Sequence, residues 1–224
     1  MRLRPDRATV RRLRTRAVTT AAGARRHLGR DSGAVALTFD DGPHPEFTPQ
    51  VLDRLAALDV VATFFLVGRN AARHPDLVRR IVDRGHAVGS HSWSHPDPWT
   101  LGLRHLIVDY RRGRQAVERA SGGTARLFRP PKEHLGRRGP VAVRVVRLRP
   151  WLSSIDSEDW VPGTSTEQIL ARVEPVSPGD VILLHDWLEG ALDERGLDRS
   201  ETVAAIDGIV TMVRDRGLRL VRLP

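Results

Sequence analysis

Leu37-Thr38-Phe39-Asp40-Asp41-Gly42-Pro43 closes a short apolar run that begins at Ala34. An apolar run that stops at Gly-Pro reads as a buried strand leaving the core through a turn. Two adjacent carboxylates at that exit stand where reactive groups are commonly presented. Successive residues of an extended chain face opposite ways, so Asp40 and Asp41 are expected to do different work.

Outward from this strand, apolar runs alternate with amphipathic stretches. Strands are expected at Val35–Phe39, Val60–Val67, His86–Ser90, Arg126–Arg129, Trp151–Ile155, Asp180–Leu184 and Leu218–Leu223. Helices are expected at Gln50–Leu58, after Thr48 as cap and Pro49 in the first turn, and at Pro75–Arg84 with Gly85 closing it. Further helices are expected at Leu106–Ala120, Gly139–Leu148, Glu167–Val173 and Thr202–Arg214. This alternation implies an α/β fold, a parallel sheet or barrel covered by helices. The polar clusters fall at the C-terminal ends of the strands, where such folds carry their sites.

The 224 residues suit one sizeable domain. Cysteine is absent, which excludes disulfides and thiolate metal sites. The formal charge is +9, and Lys132 is the single lysine among 36 basic residues. Ten arginines between Arg2 and Arg30 define a basic, flexible arm over residues 1–30, ahead of a domain at 31–224. Its charge would suit an anionic membrane surface. Nucleic acid is disfavoured as a partner, because the arm has no aromatic residue to stack on bases. No apolar stretch approaches the roughly 20 residues of a membrane span, and Met1 to Arg30 has no apolar signal-peptide core. A cytoplasmic or membrane-surface location is the resulting expectation.

A second segment, His91-Ser92-Trp93-Ser94-His95, follows the strand at His86–Ser90. Histidines at i and i+4 share one side of a helical turn, within reach of one cation. Two imidazoles and a carboxylate would leave positions open for water and substrate, with one carboxylate left over as a base.

With these segments the chain resembles the polysaccharide deacetylase family, also called NodB-homology or carbohydrate esterase family 4 proteins. Five ordered motifs carry the resemblance: Thr38-Phe39-Asp40-Asp41, His91-Ser92-Trp93-Ser94-His95, Arg129-Pro130-Pro131, Asp156-Ser157-Glu158-Asp159-Trp160 and Leu183-Leu184-His185. It covers about Ala34 to Leu223 and implies a single-domain, irregular (β/α) barrel. It implies Asp41, His91 and His95 as ligands to a divalent metal, with zinc the natural choice and cobalt or nickel also fitting. It implies Asp40 as general base, held by Arg129, and His185 as general acid. Asp156 is the first expectation for the carboxylate partner of His185 and Asp159 the second. Trp160 is expected in the sugar subsite or in the core. The implied reaction is hydrolysis of the N-acetyl amide of an amino sugar in a polymer, oligomer or glycolipid.

One departure stands out. The family continues its third motif as Tyr-Gly, where this chain has Lys132 and Glu133. A backbone N–H survives a side-chain change, so Lys132 is still expected to serve the oxyanion. The departure, with the basic arm, keeps open a deformylase or amidase acting on a lipid-linked amino sugar or other linear amide. A further alternative is a non-catalytic glycan- or membrane-binding module, whose signature, a lost base or ligand, the chain does not show. His44 is expected near the mouth of the site without a defined job, and His86 as structural or surface.

Overall fold

The computed structural model describes Thr19, residues 22–191 and residues 193–224. Among the described residues, eight strands form one sheet in which every pairing is parallel: β1 (Ala34–Asp40), β2 (Thr63–Leu66), β3 (Ala87–Ser90), β4 (Leu127–Phe128), β5 (Arg149–Pro150), β6 (Ile155–Asp156), β7 (Val181–His185) and β8 (Arg219–Val221). The order is β5-β4-β3-β2-β1-β7-β6, with β8 paired to the start of β1. Helices connect them: α1 (Phe47–Ala57), α2 (Gly68–Arg73), α3 (Pro75–Asp83), α4 (Leu103–Ser121), α5 (Gly139–Val146), α6 (Thr166–Val173) and α7 (Ser200–Asp215). Parallel strands need such crossovers, and the crossovers cover the sheet. This is an α/β half-barrel.

Strand β1 is buried along its whole length, and its two faces do different things. Val35, Leu37 and Phe39 pack outward against α1, α6 and α7 in the main core, where Phe39 stacks on Phe64. Ala36 faces the other way and packs with Phe65, Trp151 and Val181. Thr38 and Asp40 share the parity of Ala36, so Asp40 ends the strand on the inner face. A second core joins Leu106 and Tyr110 of α4 to Phe128 and to Ala142, Val143 and Val146 of α5.

Several sequence expectations change in the structure. Trp151–Ile155 is not one strand: β5 ends at Pro150, β6 begins at Ile155, and Trp151 bridges to Arg25 instead. Helix α2 falls in a stretch where no helix was expected. Thr48 does not cap α1, whose cap is Glu46. The basic arm lies mostly outside the described residues. Its last part is bound to the domain, with Arg25 N–H donating to the Pro150 carbonyl and Leu28 N–H to the Gly179 carbonyl. Pairing the backbone of a sheet edge in this way satisfies groups that solvent would otherwise have to satisfy. Among the described residues, no helix is long and apolar enough to cross a membrane.

Candidate metal and acid-base site

The strand ends Asp40, Ser90, Phe128, Asp156 and His185 lie at the C-terminal edge of the sheet. Asp40 and His185 are register partners on the neighbouring strands β1 and β7. Both are buried.

Asp41 leaves the strand with φ 75, before a cis Gly42–Pro43 bond. That left-handed backbone ends the alternation, so Asp40 and Asp41 do not diverge. Asp40 Oδ2 is 3.8 Å and Asp41 Oδ1 is 3.3 Å from the same His91 Nε2. His95 Nε2 lies 3.5 Å from that Asp41 oxygen. The histidine pair is not on a helical turn either. It sits on an irregular loop with positive φ at Ser92 and His95. The loop is held from two sides. Gly68 and Arg69 N–H donate to the Ser92 and Trp93 carbonyls, and Asp109 of α4 accepts from Trp93 N–H and Ser94 Oγ.

His91 Nδ1 is 2.7 Å from the Arg129 carbonyl. A carbonyl only accepts, so Nδ1 carries a hydrogen, which in the neutral ring leaves the Nε2 lone pair toward Asp41 and His95; against its burial, Asp40 and Asp41 raise this imidazole. Among the described residues, the buried Asp41 Oδ1 has no hydrogen-bond partner. Burial works against its charge, but His95 and His91 hold the Asp41 carboxyl well below the usual carboxylate range. Burial lowers His95. The ligand atoms of Asp41, His91 and His95 all lie within 4.8 Å of one another. Bonds of about 2.1 Å in a tetrahedron place ligand atoms about 3.4 Å apart, so the observed spacing fits a zinc-sized cation.

Arg129 is fully buried. Its Nη1 donates to Asp40 Oδ1 at 2.8 Å and to Thr38 Oγ1 at 2.7 Å, and its guanidinium lies over the Phe65 ring. Thr38 Oγ1 in turn donates to the Ile182 carbonyl.

The partner of His185 is Asp159, not Asp156. His185 Nδ1 is 2.7 Å from Asp159 Oδ1, and Asp159 Oδ2 accepts from His185 N–H and Thr202 Oγ1. Arg199 holds the Asp159 carbonyl. Burial alone would push the His185 imidazole down, but Asp159, with help from Asp41 and Asp40, raises it to about 9. Asp156 is exposed and accepts from Glu158 N–H and Trp160 Nε1. The turn between the two acids, with φ 52 at Glu158, sends Asp159 inward and leaves Asp156 outside. Trp160 is 45% exposed, which removes it from the core.

Lys132 and Glu133 both have left-handed φ, 56 and 54. A glycine suits the second position for that reason. Here Glu133 is held by Ser153, whose N–H and Oγ both donate to its carboxylate. Lys132 Nζ is 3.3 Å from Asp97, which also faces His134 at 3.5 Å.

Other features of the site escape the sequence. Asp186, the residue after His185, is buried and accepts from Gly42 N–H and Thr48 Oγ1; burial pushes its carboxyl up to about 7 against the Thr48 bond. His44 stacks on Trp187 with centroids 3.8 Å apart. Gly113, inside α4, lets the histidine loop approach: a Cβ there would meet the Ser92 carbonyl carbon at 2.3 Å. Gly113→Ala therefore tests packing against propensity. Alanine favours an exposed helix by about 1 kcal/mol over glycine, yet here the clash is with backbone and costs about 1–3 kcal/mol or more. A lower melting temperature together with weaker zinc binding is expected, and a stabilised variant would show that the loop yields freely.

The polysaccharide deacetylase family profile matches residues 28–138. A chitooligosaccharide deacetylase of Azorhizobium caulinodans is 32% identical over 207 residues, 90% of this chain and 98% of that protein. A peptidoglycan-N-acetylglucosamine deacetylase of Bacillus cereus is 35% identical over 193 residues, 85% of this chain and 66% of that protein. The crystal structure of a peptidoglycan N-acetylglucosamine deacetylase in complex with 4-naphthalen-1-yl-N-oxidanyl-benzamide superposes with a TM-score of 0.84 at 31% identity, covering 94% of this chain and 95% of that one. The chain belongs to the polysaccharide deacetylase family, whose carbohydrate esterase members are metal-dependent hydrolases of N-acetyl amide bonds.

Proposed function

We propose that this protein is a zinc-dependent N-deacetylase of N-acetylglucosamine-containing oligomers or polymers, with cobalt or nickel as competent substitutes. The observation that carries the reading is that Asp40 and His185 stand side by side as register partners ending β1 and β7, beside the convergent Asp41, His91 and His95 set. A divalent cation held by these three residues supplies Lewis acidity toward the amide carbonyl and acidifies water.

The chain's own groups account for the proton movements. Asp40, oriented by Arg129, takes a proton from the attacking water. The water oxygen bonds to the acetyl carbon, and the carbon–nitrogen bond breaks. His185, protonated beforehand through its pairing with Asp159, gives its proton to the departing amine nitrogen. Acetate and a free amino sugar result. The Lys132 backbone N–H is assigned to the developing oxyanion. Trp160, exposed and tethered to Asp156, offers a flat apolar face for a pyranose ring.

The direct test is acetate release from chitin oligomers, peptidoglycan fragments and lipid-linked N-acetylglucosamine, with protein stripped of metal and reloaded with zinc. Zinc-dependent acetate from the soluble glycans is expected. No acetate from any of them, in a protein that binds zinc, would overturn the reading and favour a different amide.

A pH profile tests the acid. An acid works only below its pKa, so the alkaline limb of kcat/KM should lie near His185's value of about 9. Asp159→Asn removes the charge that raises it and should move that limb toward neutrality. At pH 8 a group titrating at about 9 is about 90% protonated and one at about 6.5 is about 3%, so roughly thirtyfold is lost there. A limb that stays in place would remove His185 from the acid role.

A further inference from the structure

We infer that Asn70 and Glu189 are positioning residues that clamp Asp41 so that one of its carboxylate oxygens, Oδ1, faces the cation. The inference rests on the assignment of Asp41 as a metal ligand.

Asp41 is held on both sides. Asn70 Nδ2 donates to its backbone carbonyl at 3.0 Å, and the Glu189 backbone N–H donates to its Oδ2 at 3.0 Å. The two supports are joined, because Asn70 Nδ2 also donates to Glu189 Oε2 at 2.8 Å. Both hydrogens of the Asn70 amide are thereby used. Arg69 pairs with the other Glu189 oxygen and closes the assembly from outside. Asn70 is 7% exposed and the Glu189 side chain 12%.

The geometry explains which oxygen is left over. Oδ2 is taken by the Glu189 backbone N–H, while Oδ1 points at the two imidazoles and, among the described residues, has no hydrogen-bond partner. It also explains how Asp41 holds φ 75, a left-handed conformation that is unfavourable for a non-glycine residue and persists only where neighbours enforce it. The same turn of α2 carries the Gly68 and Arg69 N–H groups that hold the histidine loop. One short helix start thus registers all three ligands against each other. Asn70 and Glu189 are not themselves in the ligand set, so they act through Asp41.

The test is a zinc titration of the full-length protein against a chromophoric chelator, with far-UV circular dichroism on each variant. Asn70→Ala and Glu189→Ala are each expected to weaken zinc binding by about 10- to 100-fold, the range for residues that orient a ligand. Because both act on one clamp, the double variant should lose little more than the worse single one. Glu189→Gln, which keeps an acceptor for Asn70, should retain most of the affinity. Should Asn70→Ala fail to fold, Asn70→Leu, which keeps the bulk and loses both donors, carries the same test. A folded Asn70 variant that binds zinc within twofold of the parent would overturn the clamp, as would single-variant losses that multiply in the double variant; Glu189→Ala keeps its backbone N–H on Asp41 and reports on the anchoring of Asn70 alone. A parent protein that takes up no zinc would instead overturn the ligand assignment of Asp41, a distinct result.

Discussion

Asp40→Asn is expected to lower the acetate-release rate by about 10²- to 10⁴-fold, the range contributed by a positioned base, while leaving zinc bound. The substitution is nearly isosteric and keeps an oxygen for the Arg129 Nη1 hydrogen bond. What it removes is the ability to take a proton. It also leaves Arg129, which has no exposed surface, beside a neutral partner. Breaking a buried pair from one side costs about 3–5 kcal/mol. Thr38 Oγ1 still accepts from the same guanidinium nitrogen, and Glu133 remains 3.7 Å from its Nε, so the loss should fall at or below that range. The experiment measures kcat at saturating zinc alongside zinc stoichiometry and melting temperature. Parent-like turnover would remove Asp40 from the base role. Lost zinc would mean that Asp40 is itself a ligand, a reading its 3.8 Å distance to His91 Nε2 does not favour.

His91→Ala should weaken zinc binding by roughly two orders of magnitude. Structural zinc in small sites is bound by about 10–16 kcal/mol over four ligands, so each protein ligand is worth around 3 kcal/mol. His91 is also the most constrained of the three: its Nδ1 is tied to the Arg129 carbonyl, and its side chain is almost wholly buried. A side chain frozen in its binding tautomer loses little entropy when a cation arrives. Its removal opens a hole beside Asp41 and ends the electrostatic support that helps to hold that carboxyl low. Calorimetric titration of the metal-free variant checks this. Full occupancy at stoichiometric zinc would show that the ligand assignment is wrong.

Local chemistry is what a sequence displays best. Strand β1, the Asp40-Asp41 pair and the two histidines were legible from apolar periodicity and residue type, while Arg129 and His185 came into view only through the ordered motifs of the family the chain resembles. The error over His185 shows the limit. Asp156 and Asp159 are equally good acids on paper, and only the turn at Glu158 decides which one faces inward. The histidine pair was expected on a helix because i, i+4 spacing fits one; the structure reaches the same convergence through a strained loop.

Asn70, Asp109, Gly113 and Asp186 look ordinary in the chain, since each acts on residues far away in sequence. Asp186 meets Gly42 across 144 positions, and Glu189 meets Asp41 across 148. The sequence alone determined the α/β class and the ordered motifs that nominate the candidate reactive groups, because hydrophobic pattern and residue type are local properties. Tertiary structure alone decided which carboxylate serves His185, which oxygen of Asp41 faces the two imidazoles, and what holds it there. Those choices depend on backbone left-handedness and buried hydrogen bonds between strand ends that meet only when the sheet closes.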